Sequence, residues 1–251
     1  VKSLALAALG VTALLAGCSP QTSNTPAASE LTVFAAASLK KTFTELGSRF
    51  ETDHPGTTVT FNFAGSSDLV AQLAQGARAD VFASADTNNM TKASDAGVVA
   101  GSPVNFATNT LTIVTAPGNP KGITAFADLT EPGTQVVVCA PQVPCGSATE
   151  KVEKAAGVEL SPVSEESAVT DVLGKITSGQ ADAGVVYVTD AAGAGDKVTA
   201  VAFPESADAV NTYPIAILKD AANPQAAQAF VDLVTSPVGQ DVLTAAGFAA
   251  P

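Results

Sequence analysis

The sequence predicts an α/β protein of two lobes, each a mostly parallel sheet flanked by helices. Three observations carry this. Short β-branched or aromatic runs alternate with helical patterns along the body of the chain, the arrangement of parallel strands covered by helices on both faces. The pattern restarts at Asn109. There are also more strand–helix units than one compact sheet of ordinary width holds, so two lobes of roughly 100 residues each fit better.

Leu31–Phe34 reads as the first strand, and after Ser38 a helix carries Phe43, Leu46 and Phe50 on one face. His54-Pro55-Gly56 ends that helix, and Thr57–Phe63 is a β-branched and aromatic second strand. A helix burying Leu69, Val70 and Leu73 leads to a strand at Asp80–Ala83, and Asp86 is placed to cap the helix after it. Beyond Asn109, strands are expected at Leu111–Thr115, Val136–Val138, Ala183–Val186, Val198–Val201 and Tyr213–Leu218. Helices are expected near 147–156, 167–178, 223–235 and 237–246, with Val169, Val172, Leu173 and Ile176 sharing a face in the second. Chain crossings near Asn109 and Tyr213 assign 30–108 with 213–251 to lobe 1 and 109–212 to lobe 2. No internal repeat is evident in the sequence.

The start of the chain stands apart from the fold. Lys2 precedes an apolar run from Leu4 to Leu15, too short to span a bilayer as a stable helix. The run ends in Leu15-Ala16-Gly17-Cys18, the pattern of a bacterial lipoprotein signal, so 1–17 is expected to be a signal peptide and Cys18 the lipidated residue. Residues 18–29 are small and polar with nothing to bury, and read as a flexible tether. The expected location is extracytoplasmic: lipid-anchored on the outer face of the cytoplasmic membrane, or periplasmic.

Without Lys2 the chain holds 11 basic and 24 acidic side chains. That balance argues against nucleic acid, which draws on clustered Lys and Arg. Any anion site here must be built from local dipoles rather than long-range charge. Lys40 and Lys41 read as exposed helix lysines, and the acids Glu165, Glu166 and Asp208 as solvent-facing. With Cys18 assigned to lipid, Cys139 and Cys145 remain as an even pair, and in an oxidising compartment a disulfide closing a short loop is the plain reading. A metal site would want more ligands, and His54 is the only histidine.

In open α/β sheets ligands bind beyond the carboxyl ends of strands, at helix starts. Four such places end in small or hydroxyl residues: Ala35-Ala36-Ala37-Ser38, Ala64-Gly65-Ser66-Ser67, Pro144-Cys145-Gly146-Ser147 and Glu166-Ser167-Ala168-Val169. Small side chains admit a ligand to backbone N–H groups that a helix start leaves unpaired. For any single serine, capping its own helix is the commoner role.

With Val33-Phe34-Ala35-Ala36-Ala37-Ser38-Leu39, Phe63-Ala64-Gly65-Ser66-Ser67 and the run Gly76 to Asp86, the chain resembles the solute-binding proteins of molybdate ABC importers. Gly184-Val185-Val186-Tyr187 and Tyr213-Pro214-Ile215-Ala216 extend the resemblance, which spans about Leu31 to Phe248. It implies a periplasmic-binding-protein fold of type II with its ligand cleft between the lobes. It also implies a ligand, molybdate and tungstate; a partner, the membrane subunits of an ABC importer; and a monomer with no cofactor. Ser38 and Ser66 match the family's two ligand-binding serines, and Tyr187 the tyrosine whose phenol completes the cage. Cys145 stands where the family usually has alanine and donates a backbone N–H, a departure that leaves the donor intact. Val169 matches a residue giving only its N–H.

All five implied groups donate hydrogen bonds and no carboxylate accepts one, which suits a fully deprotonated dianion. Hydrogen phosphate carries a proton needing an acceptor and is penalised. Sulfate is a bare dianion as well, so a receptor for sulfate or another tetrahedral oxyanion is the alternative reading. An enzyme would need a base, a metal constellation or a cofactor motif, and the sequence offers none; no residue is assigned a catalytic role. A surface lipoprotein that only contacts other proteins is a third class, and it predicts no stabilisation by small anions.

Overall fold

The computed structural model describes residues 29–251. The signal peptide expected at 1–17, the Cys18 lipidation site and all but the last residue of the expected tether lie outside the described residues.

The first sheet is built by β1 (Ser29–Ala36), β2 (Thr57–Ala64), β3 (Val81–Ala83), β4 (Val99–Asn109) and β10 (Asn211–Leu218), in the order β2-β1-β3-β10-β4. The second holds β5 (Leu111–Thr115), β6 (Val136–Cys139), β7 (Ser164–Glu166), β8 (Ala183–Tyr187) and β9 (Thr199–Val201), in the order β7-β6-β8-β5-β9. In each sheet the first three strands are parallel and the fourth, β10 or β5, is antiparallel to both its neighbours. The two sheets thus share one topology, a repeat of structure that no sequence repeat announces. The chain leaves the first sheet between β4 and β5 and returns through β10.

The helices are α1 (Lys40–Asp53), α2 (Ser66–Ala74), α3 (Thr87–Asp95), α4 (Pro144–Ala156), α5 (Val169–Thr177), α6 (Val188–Ala194), α7 (Pro224–Thr235) and α8 (Pro237–Ala245). Asp86 caps α3 as its sequence position suggests, accepting from the Asn89 N–H at 2.9 Å. Three elements were not expected from the sequence: β4, β7 and α6. β4 contains Gly101 and Pro103, which argue against a strand, yet it lies at the sheet edge where both are tolerated. β7 is the polar triplet Ser-Glu-Glu at the opposite edge, and α6, Val-Thr-Asp-Ala-Ala-Gly-Ala, is short and weakly periodic. α4 starts three residues before its expected start, because Pro144 takes the first helical position with its fixed φ. The shift puts Cys145 in the first helical turn.

Side chains alternate across β1. Leu31, Val33 and Ala35 join the core beneath α1, α7 and α8, while Phe34 faces the cluster of Leu69, Leu73, Phe82 and Met90 beneath α2 and α3. Phe43, Leu46 and Phe50 of α1 are fully buried. Phe43 sits among Phe61, Phe106 and Phe230, with ring centroids 6.5, 5.8 and 5.8 Å away. Truncating it to alanine should cost about 3–5 kcal/mol and loosen the helix that begins just after Ser38.

Candidate functional site

Ser38, Ser66, Cys145, Val169 and Tyr187 all border one small cavity between the two sheets, together with Ala36, Ala37, Gly65, Ala85, Val143 and Pro144. The first sheet supplies Ser38 and Ser66, at the ends of β1 and β2. The second supplies Cys145 and Val169, in the first turns of α4 and α5, and Tyr187 at the end of β8. The cavity measures about 10 Å³, space for about one water-sized group, and has no room for a sugar or a peptide. No acidic or basic side chain lines it.

Hydrogen-bond bookkeeping gives the site a polarity. The Ser66 hydroxyl oxygen accepts from the Ala85 N–H at 3.0 Å, which leaves its proton to be donated elsewhere. The Ser38 hydroxyl lies 3.0 Å from the Tyr213 phenol oxygen. That phenol in turn accepts from the Asn109 side-chain amide at 3.4 Å, and the same amide donates to the Thr189 hydroxyl at 2.8 Å. The orientation of the Asn109 amide is set by its oxygen, which accepts from the Thr110 N–H at 3.0 Å. An NH₂ group only donates, so Tyr213 can donate onward to Ser38, and the Ser38 proton is then free for the cavity. The first N–H groups of α2, α4 and α5 have no intrahelical acceptor.

The Tyr187 hydroxyl is the decisive atom. It is buried, and no protein group makes a well-formed hydrogen bond to it; the Tyr213 phenol is near enough for a weak polar interaction only, and the Tyr213 ring meets the Tyr187 ring edge-on with centroids 6.0 Å apart. A buried hydroxyl left unpaired costs about 1–3 kcal/mol. Burial, followed by the nearby Tyr213 and the acids Asp86 and Asp190, raises the Tyr187 pKa well above that of a free phenol. The group therefore stays a neutral donor at any physiological pH.

Two features hold these groups in place. A disulfide joins Cys139, the last residue of β6, to Cys145, with Cα atoms 5.7 Å apart. The Asp190 carboxylate accepts from the Tyr187 N–H at 3.2 Å. Asp190 is partly buried; its withdrawal from water pushes its pKa up to about 7, against the lowering effect of that N–H.

Beside the cavity runs a larger groove of about 680 Å³ between α1 and α8 on one side and α5 and α6 on the other, sharing Ala37 and Ser38 with the cavity wall. Lys40, Lys41 and Lys197 line it, and none of the three is in an ion pair among the described residues. Asp190 is its only acid.

Sequence reasoning did not single out Asn109, Thr189 or Asp190 as supports of the site, and treated Tyr213 only as a strand residue within a weak motif. Asn109 stands at the restart of the pattern, and an amide at a chain crossing is a signal that points toward such a role. The hydroxyl and backbone groups that line the cavity carry no charge, so a search for charged clusters passes them by; groups of three or more potential metal-ligating side chains are absent among the described residues.

Residues 31–249 match the family model of bacterial extracellular solute-binding proteins. A molybdate-binding protein of Mycobacterium tuberculosis H37Rv is 55% identical over 247 residues, covering 95% of both chains. Among solved structures, a periplasmic molybdate-binding protein of Azotobacter vinelandii superposes with a TM-score of 0.77 at 24% identity, covering 88% of this chain and 99% of that one. The sulfate-binding protein SubI of M. tuberculosis superposes with a TM-score of 0.73 at 22% identity, over 88% and 86% of the two chains. At those identities the structures speak for the fold alone. Family model and sequence identity together make the chain a bacterial extracellular solute-binding protein of the molybdate-binding (ModA) family.

Proposed function

We propose that this protein captures molybdate, and tungstate with it, in the cavity between its lobes and delivers the ion to the membrane subunits of an ABC importer. Residues 29–109 with 211–251, which carry the first sheet, form one lobe and 110–210 the other, and the bound state is the one in which both contribute donors. The ligand groups are the hydroxyls of Ser38, Ser66 and Tyr187 and the N–H groups of Cys145 and Val169. The observation that carries the reading is the Tyr187 hydroxyl, buried and unpartnered in a cavity lined by no acidic or basic side chain. A dianion with four bare oxygens satisfies every one of them, whereas hydrogen phosphate brings a proton for which the cavity wall has no carboxylate. Lipidation at Cys18 tethers the protein to the outer face of the membrane. Cys18→Ala should release it into the soluble fraction; retention on the membrane speaks against the anchor.

Sulfate is the second reading, favoured by the same donor-only chemistry and by the likeness in fold to a sulfate-binding protein. Calorimetric titration of the purified protein with molybdate, tungstate, sulfate and phosphate separates the two. Tight binding of the first two, weak binding of sulfate and none of phosphate is expected. Preference for sulfate would reassign the ligand, and silence with all four would end the oxyanion reading.

A further inference from the structure

Gly65 is the N-cap of α2, with φ −59° and ψ 141°. Any residue adopts that conformation, so the backbone does not call for glycine there. The other lobe does. A Cβ placed at Gly65 falls 2.0 Å from the carbonyl oxygen of Ser167 and 3.5 Å from Val143 Cγ1. Gly65 follows β2 of the first sheet, whereas Ser167 lies between β7 and α5 of the second and Val143 is the N-cap of α4. Other glycines with a blocked Cβ are blocked from within their own lobe: Gly47 by Phe61, Gly146 by Ala140, Gly184 by Val172 and Gly239 by Leu233. Among the described residues only Gly65 meets its obstruction across the cleft, and there the obstructing group is main chain, which cannot rotate aside.

The neighbours of this contact are the proposed ligand groups. Ser66 follows Gly65, Val169 is two residues beyond Ser167, and Cys145 is two beyond Val143. We infer that Gly65 sets how closely the lobes can meet: its missing side chain lets the starts of α2 and α5 approach to the spacing at which one small ion is held from both sides. This rests on the cleft reading above. An alanine methyl needs about 3.4 Å from a carbonyl oxygen, so the lobes must part by roughly 1 Å or more. At that displacement hydrogen bonds of about 2.9 Å from one lobe lengthen past the range in which they hold. Loss of about two donors at roughly tenfold each gives a fall in affinity on the order of 100-fold.

Gly65→Ala and Gly65→Ser test this in the full chain. Without ligand both variants can relieve the contact with the Ser167 carbonyl by parting the lobes, so both should fold and melt no more than about 4 °C below the parent. Molybdate affinity, read by calorimetry, should fall about 100-fold for alanine and at least as far for serine. A crystal structure of Gly65→Ala should show the separation at residues 65 and 167 widened. Parent-like affinity in both variants, or an unchanged separation at that contact, overturns the inference. A parent protein that binds none of the titrated oxyanions instead overturns the functional reading, and the structure of the variant still decides the steric claim.

Discussion

Replacing Tyr187 by phenylalanine removes one oxygen and nothing else, and the structure assigns opposite signs to its two consequences. In the protein alone that oxygen is buried without a partner. Deleting it relieves a desolvation cost of about 1 kcal/mol or leaves stability unchanged, since the ring keeps its edge-on contact with Tyr213. For a chain of this size 1 kcal/mol corresponds to roughly 2–4 °C, so the unliganded variant should melt at or slightly above the parent temperature. With a dianion in the cavity the same deletion removes a hydrogen bond to a charged acceptor, about 1.5–3 kcal/mol, and lowers affinity on the order of 10- to 150-fold. Differential scanning fluorimetry with and without molybdate, beside calorimetry, reads both quantities in one preparation. A variant that melts more than about 5 °C below the parent while binding molybdate equally well would refute the reasoning. Tyr187 would then be a core residue whose hydroxyl serves the fold.

Ser66→Ala should also weaken molybdate binding, about tenfold by calorimetry, and at some cost in stability because the Ala85 N–H loses its acceptor. Cys139→Ser with Cys145→Ser should destabilise the protein by about 2 kcal/mol in urea titrations, from the short loop the bridge closes, and should weaken binding because the Cys145 N–H is no longer fixed; unchanged affinity would free the donor from the bridge. Asp190 gives a pH signature: a carboxyl whose pKa rises on folding, from 3.8 to about 7, keeps a proton that the unfolded chain has already lost, so stability falls as pH rises through that window and stays low above it. Asp190→Asn should flatten this dependence and add about 2 kcal/mol at pH 8 by denaturant titration, the full shift being discounted for partial exposure. Replacing Lys40, Lys41 and Lys197 together by glutamine should slow molybdate association several-fold at low salt in stopped-flow measurements and have little effect at high salt.

How far the sequence was legible depended on what each element buries. α1 could be read because Phe43, Leu46 and Phe50 recur at helical spacing and are all fully buried. β1 and β8 could be read as short apolar runs, and every residue of β8 is buried. β4 and β7 could not, because Gly101 and Pro103 interrupt the one and the other is the polar triplet Ser-Glu-Glu, whereas the other two edge strands, β2 and β9, carry β-branched residues that announce them. The reversal of β10 and β5 within otherwise parallel sheets was likewise hidden, since a buried strand looks the same in either direction. At the site, Ser38, Ser66, Cys145, Val169 and Tyr187 came from the resemblance, and only the small-residue character of the strand ends was legible without it. The supports, Asn109, Tyr213 and Thr189, act through hydrogen bonds between residues 80 to 175 positions apart. No local pattern encodes such a pairing.

A chain with twice as many acidic as basic side chains that is proposed to hold a dianion raises an electrostatic question, and the cavity wall answers it. A lysine or arginine inside the cavity would attract any anion, singly or doubly charged, and would stand as an unpaired buried charge whenever the ligand left. Neutral donors avoid both problems. Each loses only a hydroxyl's or an amide's hydration when the ligand is absent, and each is already oriented: Ser66 by the Ala85 N–H, Ser38 through Tyr213, Cys145 by the disulfide. Orientation is what makes dipoles effective against a double charge, because none has to be turned at the moment of binding. On the proposed function the groove lysines would act at longer range, where attraction needs no selectivity, and the cavity would make the choice among ions at contact distance. Attraction and discrimination are thus assigned to different residues, so neutralising the lysines should change how fast the ion arrives, while changes at Tyr187 or Gly65 should change which ion stays and for how long.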